Sequence, residues 1–151
     1  MTNYTQYGKN VIFCGPAQML DQPIRKESPV AAQVLPGTVV HLVAGEFAAG
    51  QGDLGYVLDR DHLGHEFVDV PYDAGARATA FWPQSGLVLN VLADAGQEIA
   101  EDDPLFVGSA GTLTATAPTP GEGEPAAVPY GYAAETITTG DAPELVAVKF
   151  V

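Results

Sequence analysis

The chain predicts an all-β fold: a compact β-barrel or β-sandwich with an extended Pro-rich N-terminal arm. Two observations carry the fold class. Over residues 57–116, short apolar runs alternate with Gly, Pro and Asp at close spacing, and no stretch sustains a helical period. The 17 Gly and 12 Pro among 151 residues favour many turns over long helices, while 46% hydrophobic residues suffice for a buried core.

Residues 1–29 form the expected arm. Tyr4 and Tyr7 sit among Thr, Asn and Gln, an apolar patch Val11-Ile12-Phe13 follows, and Pro16, Pro23 and Pro29 restrict helix and interrupt pairing. Lys9, Arg25 and Lys26 are half of the six basic residues. Such a segment suits an arm lying on a neighbour, with Val11, Ile12, Phe13, Arg25 and Lys26 as contacts; the plainer alternative is a terminal tail.

The β-body is expected over 30–151, its core beginning near Val34. A Pro36-Gly37 turn leads into a buried strand at 38–43, Gly-rich 45–55 is expected as loop, and 54–58 as a short strand. Residues 67–70 lead to a Pro-Tyr-Asp-Ala-Gly turn, and 76–82 alternates as a strand does. Leu87-Val-Leu-Asn-Val-Leu92 is the strongest strand, followed by a turn at 95–99, a strand at 103–107 and an alternating strand at 111–116. The polar, Pro/Gly-rich stretch 119–129 is expected as an exposed, mobile loop. Residues 130–135 and 145–151 finish the sheet, the last strand running to the final residue. The sequence holds no internal repeat.

Nineteen acidic residues against six basic ones leave a formal charge of -13. A nucleic-acid partner is therefore not expected, because replacing phosphate counterions needs Lys and Arg. The charge suits a very salty environment, where screening relieves carboxylate repulsion; an ordinary acidic mesophilic protein is the alternative. Cys14 is the only cysteine, so no internal disulfide can form. The first residues lack a signal-peptide pattern and no apolar stretch approaches the length of a span, so a soluble, cytoplasmically made chain without a membrane partner is expected.

Chemistry is sparse. Asp59-Arg-Asp-His-Leu-Gly-His-Glu66 is the one constellation with metal-ligand character: His62 and His65 with Asp59, Asp61 or Glu66. Four ligands are usual for a structural zinc site and no Cys pair is near, so a solvated loop is the competing reading. Cys14 stands in a Pro-rich segment, no serine occupies a G-x-S-x-G elbow, and the Gly-x-Gly pairs lack the Lys of a phosphate loop. Neither catalysis nor a cofactor is expected.

Gly86-Leu-Val-Leu-Asn-Val-Leu, Gly96-Gln-Glu-Ile and Asp103-Pro-Leu-Phe-Val resemble the hammerhead of biotinyl and lipoyl carrier domains. The place of their modified lysine reads Gly108-Ser-Ala-Gly-Thr112, so only the barrel-sandwich manner of turning strands carries over. The stretch 57–116 also resembles the small capsid decoration proteins of tailed viruses, in particular those infecting halophilic archaea. Val70-Pro-Tyr-Asp-Ala-Gly75, Phe81-Trp-Pro-Gln-Ser-Gly86, Gly111-Thr-Leu113 and a loosened Leu92-Ala-Asp-Ala-Gly96 carry that resemblance. It implies a virion protein on the capsid exterior, a homo-oligomer and often a trimer, that binds the major capsid protein and stabilises contacts between capsomers. Other readings are a tail or spike module, or a soluble ligand- or metal-binding β-barrel.

Overall fold

The computed structural model describes residues 9–15, 23–52 and 54–151. Among them the regular structure is all β, as expected. In chain order the strands are β1 (Phe13–Gly15), β2 (Arg25–Pro29), β3 (Val39–Val43), β4 (Glu46–Ala49), β5 (Tyr56–Leu58), β6 (Arg77–Phe81) and β7 (Val88–Ala93). There follow β8 (Glu98–Ile99), β9 (Pro104–Val107), β10 (Leu113–Thr114), β11 (Gly131–Ala133), β12 (Ile137–Thr138) and β13 (Glu144–Lys149).

Five strands close on themselves. The order β7-β10-β9-β11-β13 returns to β7 through the pairs Glu144↔Ala93 to Lys149↔Val88. Registered partners share a face, so Leu89, Val91, Leu105, Val107, Leu113, Ala133, Val146 and Val148 point into the barrel, and all are buried. The interior is full: a Cβ on Gly131 would stand 2.6 Å from a Val148 methyl. On the outer face, Leu92 and Leu145 pair and are buried as well.

A second sheet covers them. Its order is β2-β6-β5-β3-β4, and Val30, just past β2, bridges to Phe47 in β4, bringing the first and last strands together. Alternation along these strands serves two cores. Val40, Tyr56, Leu58, Ala78 and Ala80 pack with Phe47 inside the second body. Val39, Val57 and Phe81 face the other way and join the core of the first. Runs such as Tyr56-Val57-Leu58 are buried throughout because each side of the strand has something to bury against.

Two glycines make the seam possible. Gly37 accepts a hydrogen bond from Leu92 N–H at 2.8 Å, and a Cβ there would lie 2.5 Å from Leu145 Cδ2. Gly111, at φ +79°, accepts one from Val39 N–H at 2.8 Å, with the Val39 carbonyl oxygen 2.3 Å from where a Cβ would stand. The Tyr130 hydroxyl adds a third link, donating to Gly55 O at 3.1 Å.

Several expectations are corrected. The described part of 1–29 is woven into the body and does not extend ahead of it. β1 pairs with the edge of β7, Ile12 is 0% exposed, and Asn90 holds the approach with N–H to Ile12 O at 2.7 Å and its side-chain amide to Val11 O at 2.8 Å. β2 pairs with β6 over five residues although Arg25-Lys-Glu-Ser-Pro29 shows no apolar alternation. Backbone pairing relieves the β6 edge whatever the side chains, and Pro29 is tolerated at the strand's end. The remainder of that segment, 1–8 and 16–22, lies outside the described residues. The core thus includes Ile12 and does not start at Val34.

The Gly-rich 45–55 stretch contains β4. Ala44 (φ +51°) and Gly45 (φ +86°) form a two-residue hairpin between Val43 and Glu46. Alanine is an unusual occupant of a left-handed position, which concealed the hairpin. Residues 111–116 pair only over β10, and β13 stops at Lys149, with Phe150 still buried and Val151 exposed.

Candidate docking surfaces

The five residues expected to contact a neighbour separate in the fold. Ile12 is in the core, and Phe13 packs on Phe81 with ring centroids 6.0 Å apart. Val11 remains 45% exposed. The Arg25 guanidinium lies 4.8 Å from the centroid of the Phe81 ring, a cation–π contact that holds it on its own sheet. Lys26 is exposed on the same strand.

The loop after β5 is tightly built. Asp59 is 1% exposed; its carboxylate accepts from Arg60 N–H at 2.8 Å and meets His62 Nε2 at 3.0 Å, while its carbonyl accepts from the Tyr72 hydroxyl at 2.9 Å. Burial raises the Asp59 carboxyl above the usual carboxylate range, with His62, the Arg60 amide and Arg25 opposing. The Asp61 carboxylate accepts from Leu63 N–H at 3.0 Å and Gly64 N–H at 2.9 Å, closing the turn, and Glu66 N–H donates to Asp61 O. Asp59 therefore serves His62 while Asp61 serves the backbone, and His65 sits past the turn at φ +55°. Among the described residues no three His, Cys, Asp or Glu gather where an ion could be held. At the tip, Leu63 is 93% exposed.

A surface that sequence reasoning passed over lies at the opposite end of β5. His41, Leu42, Gly52, Leu54 and Tyr56 line a hollow of about 370 Å³, and Leu54 and Gly52 also border a second one with Trp82, Pro83, Val128 and Tyr130. Trp82 is 40% exposed and stands edge-on to Tyr56 at 6.1 Å. The only tryptophan placed at a strand end before Pro83 was the signal available. Cys14 is exposed, its thiol raised above the ordinary range by partial burial, with Lys9 opposing that shift.

No protein-family model matches the chain, and no curated protein does. Among solved structures it is similar to the N base of head fiber gp8.5 from bacteriophage phi29, with a TM-score of 0.52 over 86% of this chain and 95% of that one, at 16% identity. What the likeness shows is a shared all-β fold, spanning nearly the whole of both chains.

Proposed function

We propose that this chain is a structural component of a virus particle, one that binds the outside of the icosahedral head and reinforces contacts between capsomers of the major capsid protein. The observation that carries the reading is the fold it shares with a phage head-fiber base across almost its full length. The turn motifs add support. Gly75, Gly86 and Gly96 each adopt positive φ where the resemblance to decoration proteins has its glycines. Its work is attachment, not catalysis, and its place is the virion exterior after synthesis in the host cytoplasm. The charge of -13 supports a virus whose host is halophilic, and a homo-oligomer, the trimer first, is the assembled form.

Summed over many copies, a modest interface of about 1,200 Å² each gives a firm grip on a capsid. The test is co-sedimentation of purified protein with undecorated heads at molar salt, followed by mapping of its position by electron microscopy. Saturable binding at capsomer junctions supports the proposal. Absence from source particles, or binding to tails alone, overturns it.

A further inference from the structure

Opposite ends of β5 carry features that complement each other. Leu54 precedes the strand and the 59–66 loop follows it, so the hollow and the loop tip lie beyond its two ends. One end offers a recess in which Leu42, Leu54 and Tyr56 stand beside His41 and Gly52. The other offers a single leucine standing clear of the surface.

An exposed leucine is ordinary by itself. Leu63 differs in how it is held. Asp61 binds the amides of Leu63 and Gly64, Arg60 Nη1 donates to Glu66 O at 3.3 Å, and Asp59 with His62 anchors the loop base. A Cβ on Gly64 would lie 2.6 Å from the Asp61 carboxylate, so the sequence keeps glycine where the turn needs closure. A side chain presented on a prebuilt turn loses little freedom when it is captured.

Charge tells which partner fits. Leu63 stands in a loop where Asp59, Asp61 and Glu66 outnumber the one fixed cation, Arg60, with His62 and His65 beside it. On the sheet that bears the hollow, Lys26 pairs with Ala80 and is on the same face as Trp82, which follows the last residue of β6. Lys9, Arg77 and Lys149 are engaged with Glu135, Glu27 and Asp102 of their own chain, whereas Lys26 is exposed and in no ion pair among the described residues. In a chain at -13, most approaches between two copies set carboxylate against carboxylate. The approach of a leucine on that acidic loop toward Lys26 does not.

We propose that Leu63 of one copy seats in the Leu42–Leu54–Tyr56 hollow of a second copy, joining chains head to tail. Because knob and hollow are different surfaces, the contact is heterologous and generates a ring where the rotation closes, or an open string where it does not. The inference concerns the protein alone, so it is decided whether or not the chain binds capsids.

The test is light scattering on purified full-length protein at low and at molar salt, with Leu63→Asp, Leu54→Asp and their equimolar mixture. Both side chains are exposed, so thermal melts of the variants should match the parent, which keeps folding out of the readout. The parent should show a mass that climbs with concentration above the 15.7 kDa of one chain, and each variant should associate at least tenfold more weakly. The mixture retains one intact knob and one intact hollow, so it should yield pairs and nothing larger. A parent that stays single at every concentration, a variant with the parent's mass, or a mixture that stays single would each overturn the proposal.

Discussion

Ile12→Ala separates a woven N-terminus from an arm. Ile12 is fully buried in the core that includes Leu89, Val91 and Phe81, and its carbonyl accepts from Asn90 N–H. Truncation keeps that backbone bond and removes only apolar contact, leaving a cavity. Losses of this kind are about 2–5 kcal/mol. For a chain of this length each kcal/mol lowers the melting temperature by about 2–4 °C, so a mid-range loss of about 3 kcal/mol predicts a drop of roughly 6–12 °C. Val11→Ala is the control: at 45% exposure it should change stability by about 0.5 kcal/mol or less. Thermal and denaturant melts followed by circular dichroism read both variants. Removing residues 1–15 should be worse, because the buried Asn90 amide and Val68 N–H would lose Val11 O and Asn10 Oδ1. An Ile12→Ala melt within about 1 °C of the parent, or a folded truncation, would refute the burial argument and restore the arm.

Three further outcomes follow from the structure. Gly111→Ala should destabilise by about 3 kcal/mol or more, since a left-handed φ is joined by a clash with the Val39 carbonyl; Gly75→Ala, with the same φ sign and nothing within 4 Å, should lose only about 1–2 kcal/mol, and equal losses in denaturant melts would refute the crowding. Asp59→Asn tests the raised carboxyl. A folded pKa above the unfolded value gives stability that is present below about pH 4 and lost as pH rises through the folded pKa, so the variant should gain on the parent across that window by up to about 1.4 kcal/mol per pH unit, and a pH-independent difference would count against it. The melting temperature should rise from low to molar KCl as screening relieves 19 carboxylates facing six cations; a flat or falling trend would remove the halophilic argument.

The second half of the fold was the more legible. Leu87-Val-Leu-Asn-Val-Leu92 announces a strand by an apolar run broken only at Asn90, and its place is taken by β7, the strand with most partners. The turns expected at 71–75 and 95–99, and the Phe81–Gly86 motif, were visible because Gly75, Gly96 and Gly86 mark left-handed positions. What could not be read was pairing that side chains do not specify. β2 carries Arg, Lys, Glu and Ser and joins a sheet by backbone pairing that no apolar alternation announces, with Arg25 on Phe81 and Glu27 on Arg77 as polar contacts. β4 hid behind a hairpin with alanine at φ +51°. The 59–66 loop drew notice for its ligand-like residues, yet Asp59, Asp61 and His62 are spent on shaping the turn. The hollow lined by His41, Leu42, Gly52, Leu54 and Tyr56 is assembled from β3, β5 and the loop between β4 and β5, and no local pattern encodes such a meeting.

The weaving of 9–15 between the two bodies also constrains the proposed docking. Lys9 reaches Glu135 and Leu145 O on the barrel, Asn10 Oδ1 accepts from Val68 N–H in the connection between β5 and β6, and Phe13 lies on Phe81 of the second sheet. Freeing this segment to grip a neighbour would open the seam that Gly37 and Gly111 close. Of the sequence-proposed contacts, Ile12 and Phe13 are thus committed to the fold, and under the proposed function attachment would fall to groups that folding leaves outside: Val11, Lys26, Trp82 with Leu54, and Leu63. Substitutions at those positions should change binding at constant melting temperature, whereas Phe13→Ala should change both. A Phe13→Ala protein with an unaltered melt and lost capsid binding would show that the side chain serves the partner instead of the seam.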